Sequence, residues 1–266
     1  TAAPLAHLTD LVLNSCSVVE GEGAELHLSV SAPLLEDFTC VGETCRGIAD
    51  AVEGHAKLRF LQLDLSDLDD DSESLEGWPC LKRLPQLSSL HFICSSQALD
   101  DVAPEGPGSG RKRLGWILDR LRPCSQLASL DLSPSVELPP HKALTALGAA
   151  MGEKLGHLNL YCALPGSHAE AARAFHALPL CFPSLAELRL TLVTPDDVGD
   201  AASAAMVLAL LRPLDALLPL CPALTAVDIS LSYQDRDRAQ FTCVVDCCAA
   251  LSAAAHAGKV VSFKVW

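Results

Sequence analysis

Cys243, Cys247 and Cys248 fall in one stretch of helical periodicity, with Cys243 and Cys247 one turn apart on a single face. Thiolates so placed supply half of a tetrahedral zinc site, which needs two more ligands close by. Cys40 and Cys45 are the obvious candidates, and they stand near the other end of the chain. Small side chains packing a helix against its neighbour account for the spacing more simply, so no metal is expected. Asp64, Asp67, Asp69, Asp70, Asp71, Glu73 and Glu76 form the densest charge run. It lacks the alternating Asp positions, the glycine and the distal Glu of a calcium loop. It reads as a solvated acidic loop at the end of a strand, with docking of a basic partner as its functional option. Residues 106–113 combine glycines with Arg111, Lys112 and Arg113, without the spacing or the closing Ser/Thr of a phosphate-binding loop. Arg120 and Arg122 extend this into a basic helix, which suits neighbouring carboxylates or a protein partner better than nucleic acid. The 9 histidines are scattered, and no Ser/His/Asp or Cys/His set has a local signature. No catalytic residue and no cofactor is expected, and the chain does not read as an enzyme.

The elements that position these residues follow from composition. Among 266 residues there are 48 Leu and 37 Ala, against 7 Phe, 2 Tyr and 3 Trp. Aliphatic side chains must therefore do nearly all of the packing. Half of the chain is hydrophobic, which excludes intrinsic disorder. The net charge of −14 argues against a general nucleic-acid binder. The longest uncharged apolar run, residues 201–211, falls short of a spanning helix, so no membrane insertion is expected. The 12 cysteines are irregularly spaced with no Cys-x-x-Cys pair, and neither Asn14 nor Asn159 is a glycosylation acceptor. An intracellular, cytoplasmic setting is the expectation. The chain opens on Thr1 and reads as structured from Leu5, as expected of a piece of a longer protein.

The leucines recur with a period. Leu8-x-x-Leu11-x-Leu13 returns as Leu58-x-x-Leu61-x-Leu63, Leu87-x-x-Leu90-x-Phe92, Leu127-x-x-Leu130-x-Leu132 and Leu155-x-x-Leu158-x-Leu160. It returns again as Leu185-x-x-Leu188-x-Leu190, Leu224-x-x-Val227-x-Ile229 and Val260-x-x-Phe263-x-Val265. With Leu61, Leu90, Leu130, Leu158, Leu188, Val227 and Phe263 as equivalents, the steps are about 29, 40, 28, 30, 39 and 36 residues. Leu84, Cys124, Phe182 and Cys221 each lie three residues before the first Leu, and Phe182-Pro-Ser-Leu185 and Cys221-Pro-Ala-Leu224 look like one turn. Helical spacing covers residues 44–55, 111–122, 141–155, 168–178, 198–211 and 236–256. Residues 18–30 read as an added hairpin and residues 100–110 as a flexible loop. No full motif is placed between Leu13 and Leu58.

This pattern resembles the leucine-rich repeat family, in its ribonuclease-inhibitor-like class or the cysteine-containing class found beside F-box motifs. The resemblance implies a single α/β solenoid domain over residues 1–266, with about eight irregular repeats. Its curved parallel sheet forms the concave face and its helices the convex face. The Asn or Cys expected after each strand is mostly replaced, as at Ser66, Ser95 and Ser135. Family members bind other proteins, commonly within larger assemblies. The expected function is therefore a non-catalytic interaction module, scaffold or structural subunit. Substrate recognition in an F-box-type ubiquitin ligase and regulation of a GTPase or nuclease stand as alternatives. In a strand, the residues between inward leucines face outward. Gln62, Asp64, His91, Asp131, Asn159, Tyr161, Arg189, Asp228 and Lys264 are therefore the candidate protein-binding residues. Tyr161 and Arg189 are of the types enriched at interface hot spots.

Overall fold

A computed structural model describes residues 5–14, 32–41, 52, 54–65, 81–94, 109–133, 140–176, 178–193, 205–206, 209–210, 212, 218–232 and 260–265. The chain divides into two compact units, Thr1–Pro134 and Ser135–Trp266. In the first, β1 (Asp10–Asn14), β2 (Asp37–Val41), β3 (Phe60–Leu65), β4 (Ser89–Cys94) and β5 (Ser129–Leu132) pair in chain order, all parallel. In the second, β6 (His157–Ala163), β7 (Glu187–Val193), β8 (Ala226–Ser232) and β9 (Val260–Val265) do the same. Helices α1 (Ser109–Leu121), α2 (Pro140–Met151), α3 (His168–Arg173) and α4 (Leu178–Cys181) lie between strands. The architecture is α/β, each unit built on a parallel sheet with few helices.

The register matches the motif. Leu61, Leu90 and Leu130 stand beside one another, as do Leu158, Leu188 and Val227. All six are buried, and so are Leu63, Phe92, Leu132, Leu160, Leu190 and Ile229 two residues on. Each buried aliphatic side chain contributes about 1.5–3 kcal/mol relative to exposure. The strands meet in this register because the same tight turn recurs before most of them. The N–H of Leu35, Leu87, Leu127, Leu185 and Leu224 donates to the carbonyl three residues back, on Ala32, Leu84, Cys124, Phe182 and Cys221. Pro183 and Pro222 take the position of that turn for which a fixed φ is pre-set. The carbonyl one residue after the leucine then accepts two N–H groups from the next turn. Arg59 O receives Ser88 N and Ser89 N at 2.9 Å each, and Ala186 O receives Thr225 N and Ala226 N at 2.8 and 3.1 Å.

Two expectations need correction. A ninth strand, β2, fills the gap between Leu13 and Leu58. Its motif is Leu35-x-x-Phe38-x-Cys40, all three buried, with Phe38 between Leu11 and Leu61. An aromatic and a cysteine replace two leucines, which hides the motif from a leucine count while keeping its burial. At the other end, Val227 pairs with Val261, and Phe263 pairs with Ile229. Phe263 is thus equivalent to Ile229 rather than Val227. Alternation alone fits either register, and the turn that sets the register elsewhere is not described here.

The helices are shorter than their periodicity suggests. Residues 168–178 split into α3 and α4, and α2 stops before Gly152. Ser167 caps α3 by accepting from Glu170 N at 3.2 Å, while the Glu170 carboxylate takes Gly166 N at 3.0 Å, a reciprocal cap. Ser109 and Gly110, assigned by sequence to a loop, form the first turn of α1. The hairpin at residues 18–30, loop residues 100–108, the acidic run past Leu65, the helix at 236–256 and Cys243, Cys247 and Cys248 lie outside the described residues. Within 44–55 and 198–211 only scattered positions are described, and of these Val52, Ala205, Met206, Ala209 and Leu210 are helical.

Helix α2 approaches α4 closely enough to require glycine. A Cβ on Gly148 would overlap the Cys181 side chain, and one on Gly152 would overlap the Cys181 carbonyl oxygen. Replacing Gly152 by Ala is expected to cost about 1–3 kcal/mol, read as a lower denaturant midpoint with unchanged slope. Leu160→Asp buries a carboxylate beside Leu190 and is expected to abolish cooperative melting. A variant that melts like the parent would refute the register.

Candidate functional site

In β2 to β8 alternate positions are half-buried or exposed while the described residues between them are buried. Each sheet therefore has one face packed on the core and one open. On the open face of the first unit, Gln62, His91 and Asp131 stand side by side on β3, β4 and β5. Asp64 lies two residues along from Gln62, beside Ile93. In the second unit Asn159, Arg189 and Asp228 form a row across β6, β7 and β8. Tyr161 belongs to the next row, with Thr191, Ser230 and Lys264. Lys264 was expected level with Arg189; the two-residue change of register places its backbone beside Ser230, and Ser262 takes the position beside Asp228.

Sequence reasoning passed over most of the residues just before each inward leucine. Period-two alternation puts them on the same open face: Asp10, Asp37 and Phe60 in the first unit, His157 and Glu187 in the second. The signal was present in the motif, two positions upstream of Gln62, Asn159 and Arg189. Phe60 meets His91 edge-on, with ring centroids 5.0 Å apart and planes at 65°, a favourable quadrupole arrangement. Glu187 takes both His157 Nδ1 at 3.5 Å and Arg189 at 3.8 Å. These contacts are more than 40% exposed on every side and contribute little to stability. Thr191 and Ser230 hydroxyls share a hydrogen bond of 2.9 Å across β7 and β8.

The carboxylates are less comfortable. Burial, then a hydrogen bond to the Asp10 carboxylate and its charge, and then the charge of Glu36 push the Asp37 carboxyl up, against a smaller pull from Arg59. Arg59 itself pairs with Glu36 at 3.6 Å. On Asp131, Oδ1 is shielded from solvent and has no hydrogen-bond partner among the described residues. The described cysteines serve packing. Cys40, Cys124, Cys162 and Cys221 are buried, and burial lifts the Cys124 thiol to about 11 and the Cys162 thiol to about 12. Such thiols stay protonated and are poor nucleophiles.

No family model matches the chain, and a search of curated proteins finds no match. Among the described residues no helix is long and apolar enough to cross a membrane, and no three His, Cys, Asp or Glu side chains group as metal ligands. Each open face offers polar, aromatic or charged side chains held at strand spacing, suited to pairing with complementary groups.

The Asp37 environment predicts a pH effect. Because the folded state holds this proton more tightly than the unfolded chain, the associated stability is present at acid pH. It is lost as pH rises through the folded value. Asp37→Asn is therefore expected to melt about 1 °C above the parent at pH 7, the small size reflecting solvent screening. The difference should close below the ordinary carboxylate range; calorimetry across pH checks both arms.

Proposed function

We propose that the chain is a leucine-rich repeat protein that binds another protein through the open face of its parallel sheet and performs no catalysis. The observation that carries this reading is the separation of roles along β2 to β8. Inward positions are apolar and buried, whereas outward positions include Gln, His, Asp, Asn, Tyr and Arg. A sheet needing only solvation has no use for Phe60, Ile93 or Tyr161 among its outward residues, and Tyr and Arg are the types that anchor interfaces. The repeated turn and the shared carbonyl support the repeat architecture. The irregular cysteine spacing, without a Cys-x-x-Cys pair, supports a reducing, cytoplasmic setting.

The second reading, a substrate-recognition domain of an F-box-type ubiquitin ligase, draws on the cysteine before Leu127 and Leu224, at Cys124 and Cys221. It calls for an F-box-like helical segment elsewhere in the full protein, which its gene sequence would reveal.

Tyr161→Ala combined with Arg189→Glu tests the main reading. Tyr161 is half-buried and Arg189 exposed, so the pair is expected to leave thermal unfolding within about 2 °C of the parent. Recovery of bound protein from cell extract, quantified by mass spectrometry, should fall at least about tenfold for the loss of two anchors. Unchanged recovery would move the site off this face.

A further inference from the structure

The open face of the β1–β5 sheet has a focused chemistry. Its outward positions carry Asp10, Asp37, Asp64 and Asp131 and no Lys or Arg. Three of these carboxylates surround the Phe60–His91 pair by register. Asp37 is the cross-strand neighbour of Phe60, Asp131 that of His91, and Asp64 stands beside Ile93, the next outward residue after His91. Adjacent strands lie about 4.8 Å apart, so Asp37 is within reach of a group resting on Phe60, and Asp131 and, diagonally, Asp64 of one resting on His91. Asp131 keeps one oxygen without a hydrogen bond among the described residues, and Asp37 sits against the like charge of Asp10. Both conditions are relieved by a cation from outside. Arg59, whose charge acts on Asp37, is engaged with Glu36.

We propose that this face receives an arginine side chain from a basic, extended segment of a partner protein, seated on Phe60 and His91 between Asp37, Asp64 and Asp131. Arginine fits better than lysine because its planar guanidinium stacks on a ring while its edges pair with two carboxylates at once. The inference deepens the proposed function and rests on it, since it names the partner chemistry that the open face selects.

The test uses the full chain and a short fluorescein-labelled peptide alternating arginine with serine, with lysine and glutamine versions, read by fluorescence anisotropy at physiological salt. The arginine peptide is expected to bind at least about threefold tighter than the lysine peptide, and the glutamine peptide not to bind. Asp37→Asn with Asp131→Asn should weaken binding about tenfold, and Phe60→Leu about threefold by removing the ring while keeping an apolar side chain. Asp119→Asn with Glu153→Gln removes the same charge from exposed positions elsewhere and should change affinity less than about twofold. Melting curves confirm folding of each variant. An equal loss in that control overturns the proposal, since the attraction would then be to the acidic chain as a whole. So does equal binding of the arginine and lysine peptides, or no binding at all. If peptide binding fails while Tyr161→Ala/Arg189→Glu still abolishes partner recovery, only this inference falls; if that recovery is also unaffected, both readings fall.

Discussion

One carbonyl per turn, accepting two N–H groups from the next, sets the register on which everything else depends. It fixes where each strand begins relative to its neighbour, and a one-residue error there would turn every leucine outward. With the start fixed, aliphatic side chains stack on aliphatic side chains from strand to strand, and burial of that row supplies the stability. The same alternation places the other residues on the open face. Core and surface are thus two readings of one hydrogen-bonding constraint.

The period of the leucines made the strands and their order legible, because burial on one face of a short strand leaves few residue types to choose from. Legibility failed where burial was met by other means. Phe38 and Cys40 fill inward positions as well as leucine does, so β2 escaped a search for leucine. At β9, Val260, Val261, Phe263 and Val265 offer two apolar registers, and pairing with β8 selects the one that local spacing did not favour. The described helices α1, α2 and α3 were legible in place but not in extent: α2 stops before Gly152, where a Cβ would meet the Cys181 carbonyl. Of the open face, the residues between inward leucines were found and those just upstream were missed, which left out Phe60 and Asp37. Their proximity to His91 and Asp131 is a property of pairing between distant segments, invisible along a single strand.

The open face of the first unit also shows a tension between folding and use. Crowding Asp37 against Asp10 is unfavourable in the isolated chain, and shielding an oxygen of Asp131 without a partner is too. Neither arrangement aids packing. Both acquire a purpose when an opposing charge arrives, so the strain is located where recognition is proposed.

The repeated turn has a further consequence for how such a surface can change over time. Phe38 to Leu61 and Leu90 to Leu130 span very different lengths of chain, yet both pairs of strands are neighbours in the same sheet. Connections lengthen without altering the spacing of outward side chains, which stays at the strand interval. The sheet therefore behaves as a ruler with replaceable marks: an outward residue can be exchanged singly, and a connection extended, while the distances a partner measures are preserved.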